Sequence, residues 1–347
     1  MQIQHTPEHR VVRGSRTHLT REEKEKMIEM EQEMEEGPKD PFEVEEERIK
    51  IENKFLVPKS KNFIETQQVK EYEDLIELWL RTGYPVHIIG PTGCGKTTLA
   101  MKIAEKLKKP AVWINGDEEI TTTSLVGGYS KIEMSRLRDR FIHNVQKDKD
   151  IVEPQWVSNP LALAVKHGYT LIYNEFSRAK PEANNILLSV LEEGVLELPT
   201  KFGEDRYVKV HPNFNVILTS NNIEYAGVHK PQDALLDRLV SIHMDYYNED
   251  TETKIVQAHS KISTDKAAQV VKLIRSLRTQ LQGAEKPGTR PAIMIAQGLN
   301  SINGVEKEVY NKYFEKLCVC AIASKFEGLD ALSKKANLVR EQIQKIV

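Results

Sequence analysis

The 347-residue sequence predicts an α/β fold, with a parallel sheet flanked by helices and an all-helical domain after it. Three observations carry that prediction. Short runs rich in Val and Ile alternate with helical patterns between residues 68 and 244, as strands buried on both faces of a parallel sheet require. One of these runs, Val86-His87-Ile88-Ile89, enters a glycine-rich loop that opens into a helix. Beyond Tyr246 the periodicity is helical throughout. At roughly 150 residues per domain the length suits two domains. The organisation reads as a charged extension over 1–55, an α/β domain over 56–245 and a helical lid over 246–347.

The extension has a polar start containing Arg and His, followed by an acidic stretch over 21–50. Thr20 with Glu23 makes a capping box and Gly37-Pro38 a stop, so a helix is expected over 21–36. Its Met27, Met30 and Met34 form a narrow stripe, suited either to a solvated extension or to an arm that binds a partner. A helix over 68–81 carries Tyr72, Leu75, Ile76 and Trp79 at helical spacing and ends near Gly83. The helix after the glycine-rich loop presents Leu99, Ile103 and Leu107, with Ala100 and Ala104 beside them. Pro110 closes it, and Ala111-Val112-Trp113-Ile114 reads as the second strand. Pro160 at the first helical position and Gly168 just past the end bound a helix over 160–167, which delivers the chain into a strand over 169–173. One helix over 181–193 stops at Gly194, and strands over 215–219 and 240–244 follow. Two alternating runs, 195–198 and 206–210, flank the polar turn 199–205 and read as a β-hairpin inserted into the α/β alternation.

Bulk properties narrow the function. The net charge of −2 argues against a chain that coats nucleic acid, and no basic stripe interleaved with aromatics is visible. No run approaches the ~18 to 20 apolar residues of a membrane span, and the N-terminus lacks the apolar core of a signal peptide. The three cysteines, Cys94, Cys318 and Cys320, suit a cytoplasmic protein without a disulfide framework.

Gly90-Pro91-Thr92-Gly93-Cys94-Gly95-Lys96-Thr97 is a complete G-x-x-x-x-G-K-[ST] loop between strand and helix. Its glycines let successive amide N–H groups and the positive helix end wrap a phosphate chain. Lys96 then reaches the β and γ phosphates of ATP, and Thr97 ligates Mg²⁺. The strand over 169–173 runs into Asn174-Glu175. In P-loop ATPases this position carries two acids, the first orienting the metal and the second polarising the attacking water. Glu175 can serve as that base, whereas Asn174 offers the metal a neutral oxygen in place of a carboxylate. Asn221, after the strand over 215–219, can hold the attacking water or belong to an ordinary turn. Arg238 ends a short helix over 231–238; it can cap that helix or reach the γ phosphate of a neighbouring subunit. Gly288-Thr289-Arg290-Pro291 opens a helix of the lid, from which Arg290 can fold over the nucleotide.

In this order the elements resemble an AAA+ ATPase over about residues 56–300. The resemblance implies that Asn221 is the first sensor, Arg238 the arginine finger and Arg290 the second sensor. The hairpin before the Asn221 strand, and Leu125-Val126-Gly127-Gly128-Tyr129, resemble the two insertions of the MoxR branch. Tyr169-Thr170-Leu171-Ile172-Tyr173-Asn174-Glu175-Phe176, Pro181-Glu182-Ala183-Asn184-Asn185, Leu191-Glu192-Glu193-Gly194-Val195-Leu196 and Glu224-Tyr225-Ala226-Gly227-Val228-His229-Lys230 are similar to the gas vesicle protein N (GvpN) family. So is the run ending Gln232-Asp233-Ala234-Leu235-Leu236-Asp237-Arg238-Leu239, although the family usually has Asp where Asn174 stands. The resemblance implies a cytoplasmic ATP hydrolase that uses Mg²⁺, assembles as a homo-oligomeric ring, expected to be a hexamer, and remodels structural or accessory proteins of gas vesicles. The alternatives are a general MoxR-type chaperone acting with a von Willebrand A-domain partner, and an ATP-binding switch that does not hydrolyse.

Overall fold

A computed structural model describes residues 63–138, 148–198, 206–221, 229–282, 286–302, 307–323 and 329–346. The helix expected over 21–36, the hairpin turn 199–205 and residues 224–228 of the family-like motif lie outside the described residues. In chain order the described strands are β1 (Val86–Ile89), β2 (Ala111–Asn115), β3 (Gly127–Arg138), β4 (Asp148–Ser158), β5 (Thr170–Asn174), β6 (Val195–Glu197), β7 (Tyr207–Lys209), β8 (Asn215–Ser220) and β9 (Val240–His243). Five of them form one parallel sheet in the order β2-β5-β8-β1-β9.

Period-two alternation divides each central strand between two cores. Leu171, Tyr173, Val216 and Leu218 face one side, where they meet helix α3 (Pro160–His167) through Leu161 and Val165. Ile172 and Ile217 face the other, against α1 (Gln67–Arg81) and α2 (Lys96–Lys106) through Ile76, Leu99 and Ile103. Each such side chain taken fully out of water contributes roughly 1.5–3 kcal/mol. Register is therefore firmly specified, because a one-residue slip would exchange the two faces. Helix α3 begins at Pro160 and ends on Gly168, whose φ of 71° is the left-handed stop expected of it.

Among the described residues five further helices follow β9: α4 (Glu249–Ser260), α5 (Thr264–Gln280), α6 (Thr289–Ser301), α7 (Lys307–Ala323) and α8 (Leu329–Ile346). They enclose a separate core that includes Val256, Ile274, Ile295, Phe314 and Val339. Cys318 is buried in that core and Cys320 is exposed, both as free thiols.

The sequence reading departs from the structure at three places. The buried stripe of α1 is Val69, Glu73, Ile76 and Leu80, while Leu75 is 43 % exposed and Tyr72 and Trp79 are half-buried. The helix face is turned so that Glu73 points inward, where Lys106 comes within 3.8 Å of it. The single helix expected over 181–193 is broken into Pro181–Asn184, Ile186–Leu188 and a π turn over Ser189–Glu193. Asn184 is drawn into the core, donating to the Phe176 carbonyl at 3.1 Å and accepting from the Tyr173 hydroxyl at 3.0 Å. The hydroxyl of Ser189 then takes the Ile186 carbonyl at 3.2 Å, so side chains compete with the regular ladder. Finally, β3 and β4 pair as a long antiparallel hairpin with a register shift between Ser130 and Glu133. Of this stretch only 125–129 stands out in the sequence, and its first two residues end the short helix Thr122–Val126 ahead of β3; the charged run after it masks any alternation. The shorter β6–β7 hairpin forms where expected.

Candidate nucleotide site

Gly93 and Gly95 adopt φ of 80° and 100°, conformations open to glycine at little cost, and they curl the loop after β1 around the N-terminus of α2. Lys96 opens α2 with its side chain folded back into the loop. Its ammonium donates to the carbonyls of Gly90 and Pro91 at 2.9 Å each and to Asn221 Oδ1 at 3.1 Å. Burial pulls the Lys96 pKa below the usual lysine value, partly opposed by Cys94 and Glu175. Among the described residues no carboxylate comes within ion-pair distance of it. A buried cation held by neutral oxygens is costly unless an anion completes its shell. The loop thus fits a phosphate chain. Thr92, at the loop's crest, donates weakly to Asn221 Oδ1 at 3.5 Å, and the Cys94 thiol is raised in pKa by burial beneath the loop.

The carboxyl ends of adjacent parallel strands gather the remaining polar groups, as open α/β sheets generally do. Asn174, at the end of β5, accepts at Oδ1 from Thr97 Oγ1 at 2.7 Å and from Thr219 Oγ1 at 2.9 Å. Its Nδ2 donates to Asn115 Oδ1 at the end of β2, 3.1 Å away. The pair of oxygens on Thr97 and Asn174 fits a Mg²⁺ site in which most other ligands are waters and phosphate. Glu175 follows in the left-handed region, φ 52° and ψ 39°, a strained backbone for a residue with a side chain. Its N–H donates to Thr219 Oγ1 at 3.1 Å, and its carboxylate pairs with Arg178 at 3.1 Å. Gly116 allows this turn to pack against the end of β2, since a Cβ there would lie 2.1 Å from the Glu175 carbonyl oxygen.

Behind Asn221, His87 Nε2 and Ser220 Oγ are 2.7 Å apart, and the imidazole meets the Phe176 ring edge-on at 4.8 Å. Burial, with a smaller push from His243, takes the His87 pKa down to about 3, so the ring is neutral and fixes the Ser220-Asn221 turn without adding charge.

Beside the loop lies a cleft of about 290 Å³, walled by apolar Phe63, Val69, Tyr247, Ile255 and Ile293, with Gly93, Cys94 and Gly95 on its floor. Arg290 lines the same cleft from the start of α6. Arg238 does not. It pairs with Glu192 and donates to the Ala234 carbonyl, at the opposite end of the sheet. The structure therefore brings together the 90–97 loop, Asn174, Glu175 and Asn221, places Arg290 on the rim, and leaves Arg238 apart.

Sequence reasoning missed Asn115, Thr219, Arg178 and the His87–Ser220 pair. Asn115 carried a signal, since an asparagine follows the apolar run of β2 just as Asn174 follows that of β5. Thr219 carried none, because a threonine ending a strand is ordinary.

The parallel sheet and its loop define an AAA-type ATPase domain, and residues 85–239 match the family described as AAA domain (dynein-related subfamily). The chain is 52 % identical over 277 residues to the gas vesicle ATPase GvpN of Haloferax mediterranei, covering 80 % of this chain and 78 % of that protein. It is 52 % identical over 293 residues to GvpN1 of Halobacterium salinarum, covering 84 % and 82 %. Against the GvpN of Ancylobacter aquaticus it is 39 % identical over 275 residues, covering 79 % and 77 %. The chain belongs to the gas vesicle ATPase GvpN family, as its motifs implied. Among the described residues no helix is long and apolar enough to cross a membrane.

Proposed function

We propose that the protein hydrolyses Mg-ATP at the interfaces of a homo-oligomeric ring and uses the cycle to remodel a protein of gas vesicle assembly. The observation that carries the chemistry is Lys96, a buried ammonium whose hydrogen-bonding oxygens among the described residues are all neutral and which stands where strand, loop and helix N-terminus converge. The gas vesicle client rests on identity of about half the residues to proteins named for that system.

In this reading Lys96 turns from the loop carbonyls to the β and γ phosphates, and the amides of 92–96 bind the same oxygens. Bound Mg²⁺ neutralises charge developing between the β and γ phosphates. Thr97 would hold it, and Asn174 would support it through its contact to the Thr97 hydroxyl. Glu175 must leave Arg178 to accept a proton from water, and Asn221, released by Lys96, orients that water. The apolar cleft takes the base, and Arg290 faces the phosphates from the lid.

Phosphate release by the Glu175→Gln variant tests the assignment. The wild type should turn over ATP, and the variant should bind ATP while losing roughly 10²–10⁴-fold in rate, the usual contribution of a positioned base. Equal rates would remove Glu175 from the mechanism. A wild-type protein that binds ATP without releasing phosphate would favour the switch.

A further inference from the structure

We propose that Glu252 is a positioning residue, which clamps the turn Pro287-Gly288-Thr289 onto the phosphate loop and so sets Arg290 over the nucleotide. The inference rests on Arg290 facing the nucleotide, as read above.

Glu252 lies on α4, far from the loop in sequence, with its side chain only 2 % exposed. Its Oε1 accepts from Thr289 Oγ1 at 2.9 Å and from Arg278 Nη2 at 2.6 Å. Its Oε2 accepts from Arg278 Nη1 at 2.8 Å and from Arg275 Nη1 at 3.0 Å. Arg278 is itself buried, donates through Nε to the Pro287 carbonyl at 2.6 Å, and stacks on the Tyr246 ring at 3.9 Å. The carboxylate and the guanidinium thus hold the residues on either side of Gly288.

The front of that turn rests on the phosphate loop. Thr289 N donates to the Gly93 carbonyl at 3.1 Å. A Cβ on Gly288 would meet the Thr92 carbonyl oxygen at 2.6 Å and Gly93 Cα at 2.9 Å, so no side chain fits between lid and loop. Arg275 also donates to the Tyr247 carbonyl at 2.9 Å, and Tyr247 walls the same cleft. One buried carboxylate therefore anchors the turn that carries Arg290 and, through Arg275, the opposite wall. A lid that needed only stability would be served as well by apolar packing, since replacing a buried ion-pair cluster with hydrophobic side chains is often neutral or stabilising. Here every side-chain partner of Glu252 among the described residues leads to the cleft.

Equilibrium titration of the full-length protein with a fluorescent ATP analogue tests this. Arg290→Ala should weaken binding by roughly tenfold or more, as loss of a hydrogen bond to a charged group does. Thr289→Val, which deletes the hydroxyl held by Glu252 and keeps the backbone contact, should weaken it about fivefold. Thr289→Ser should recover most of that loss. The decisive variant is Thr289→Val with Arg290→Ala, which should bind no worse than Arg290→Ala alone, because Thr289 acts by placing Arg290. Multiplied effects in the double variant, or wild-type affinity in Thr289→Val, would overturn the inference and leave the Arg290 reading standing. Wild-type affinity in Arg290→Ala would overturn both. Glu252→Gln should show the same dependence on Arg290; because it strands a buried guanidinium and can unfold the lid, the Thr289 variants decide if it does.

Discussion

At the carboxyl-terminal edge of the sheet Lys96 is buried among neutral oxygens, whereas at the amino-terminal edge Arg238, 27 % exposed, is already paired with Glu192. The segments that carry them adjoin neighbouring strands, since Lys96 opens the helix after β1, Arg238 lies just before β9, and β1 and β9 pair in parallel with Val86 opposite Val240. Arg238 precedes β9 and Gly90 follows β1, so a strand's length of roughly 13 Å separates the levels they occupy. Parallel pairing fixes this opposition. What it teaches is that the lysine edge gathers its polar groups within one chain, while the arginine edge faces away from that chain's own loop. A lightly held surface pair of this kind is worth about 0–1 kcal/mol, which a stronger anionic partner can displace.

The contrast can be broken at the lysine edge by removing binding itself. Lys96→Ala should lose nucleotide binding by roughly 100-fold or more, because the phosphate chain then meets a loop without its ammonium. Isothermal titration with ATP measures it, and unchanged affinity would mean that the buried charge serves the fold alone. At the other edge Arg238→Ala should keep ATP binding and lose hydrolysis by about 10³-fold, the scale of an arginine finger acting between subunits. Mixing it with Glu175→Gln sharpens the point, since some mixed interfaces hold both intact groups and should regain activity that neither variant has alone. No recovery in mixtures proven to co-assemble would argue that Arg238 serves its own chain. The smallest effect lies within the lysine edge. Asn174→Asp should lower the Mg²⁺ concentration for half-maximal phosphate release by up to about tenfold, as a carboxylate replaces an amide beside the metal. Asn115 would turn its amide to donate to the new acid, and an unchanged Mg²⁺ dependence would show that position 174 stays turned away from the ion.

The loop was legible because its glycines, lysine and threonine sit at fixed offsets between a strand and a helix, all within eight residues. Asn174 and Asn221 were legible as strand ends, but their partners were not: Thr97 and Asn174 are 77 residues apart and Lys96 and Asn221 are 125 apart. The β3–β4 hairpin escaped because its pairing is made between strands whose side chains give no clear period. The break in the helix over 181–193 escaped because it arises from Asn184 reaching the Tyr173 hydroxyl, a contact absent from any local pattern.

By itself the sequence determined the alternation of strands and helices, the phosphate loop and the family, since each depends on residues close together in the chain, where spacing alone fixes the geometry. Only the tertiary structure decided that Asn174 is held by Thr97, Thr219 and Asn115, that Glu175 rests on Arg178, and that Arg238 lies on the far edge of the sheet. It alone brought Glu252 and Arg278 behind the Gly288 turn. Those relations depend on which strands lie side by side and how the Gly288 turn seats on the loop, and burial drives both without leaving a periodic trace in the residues that finally touch.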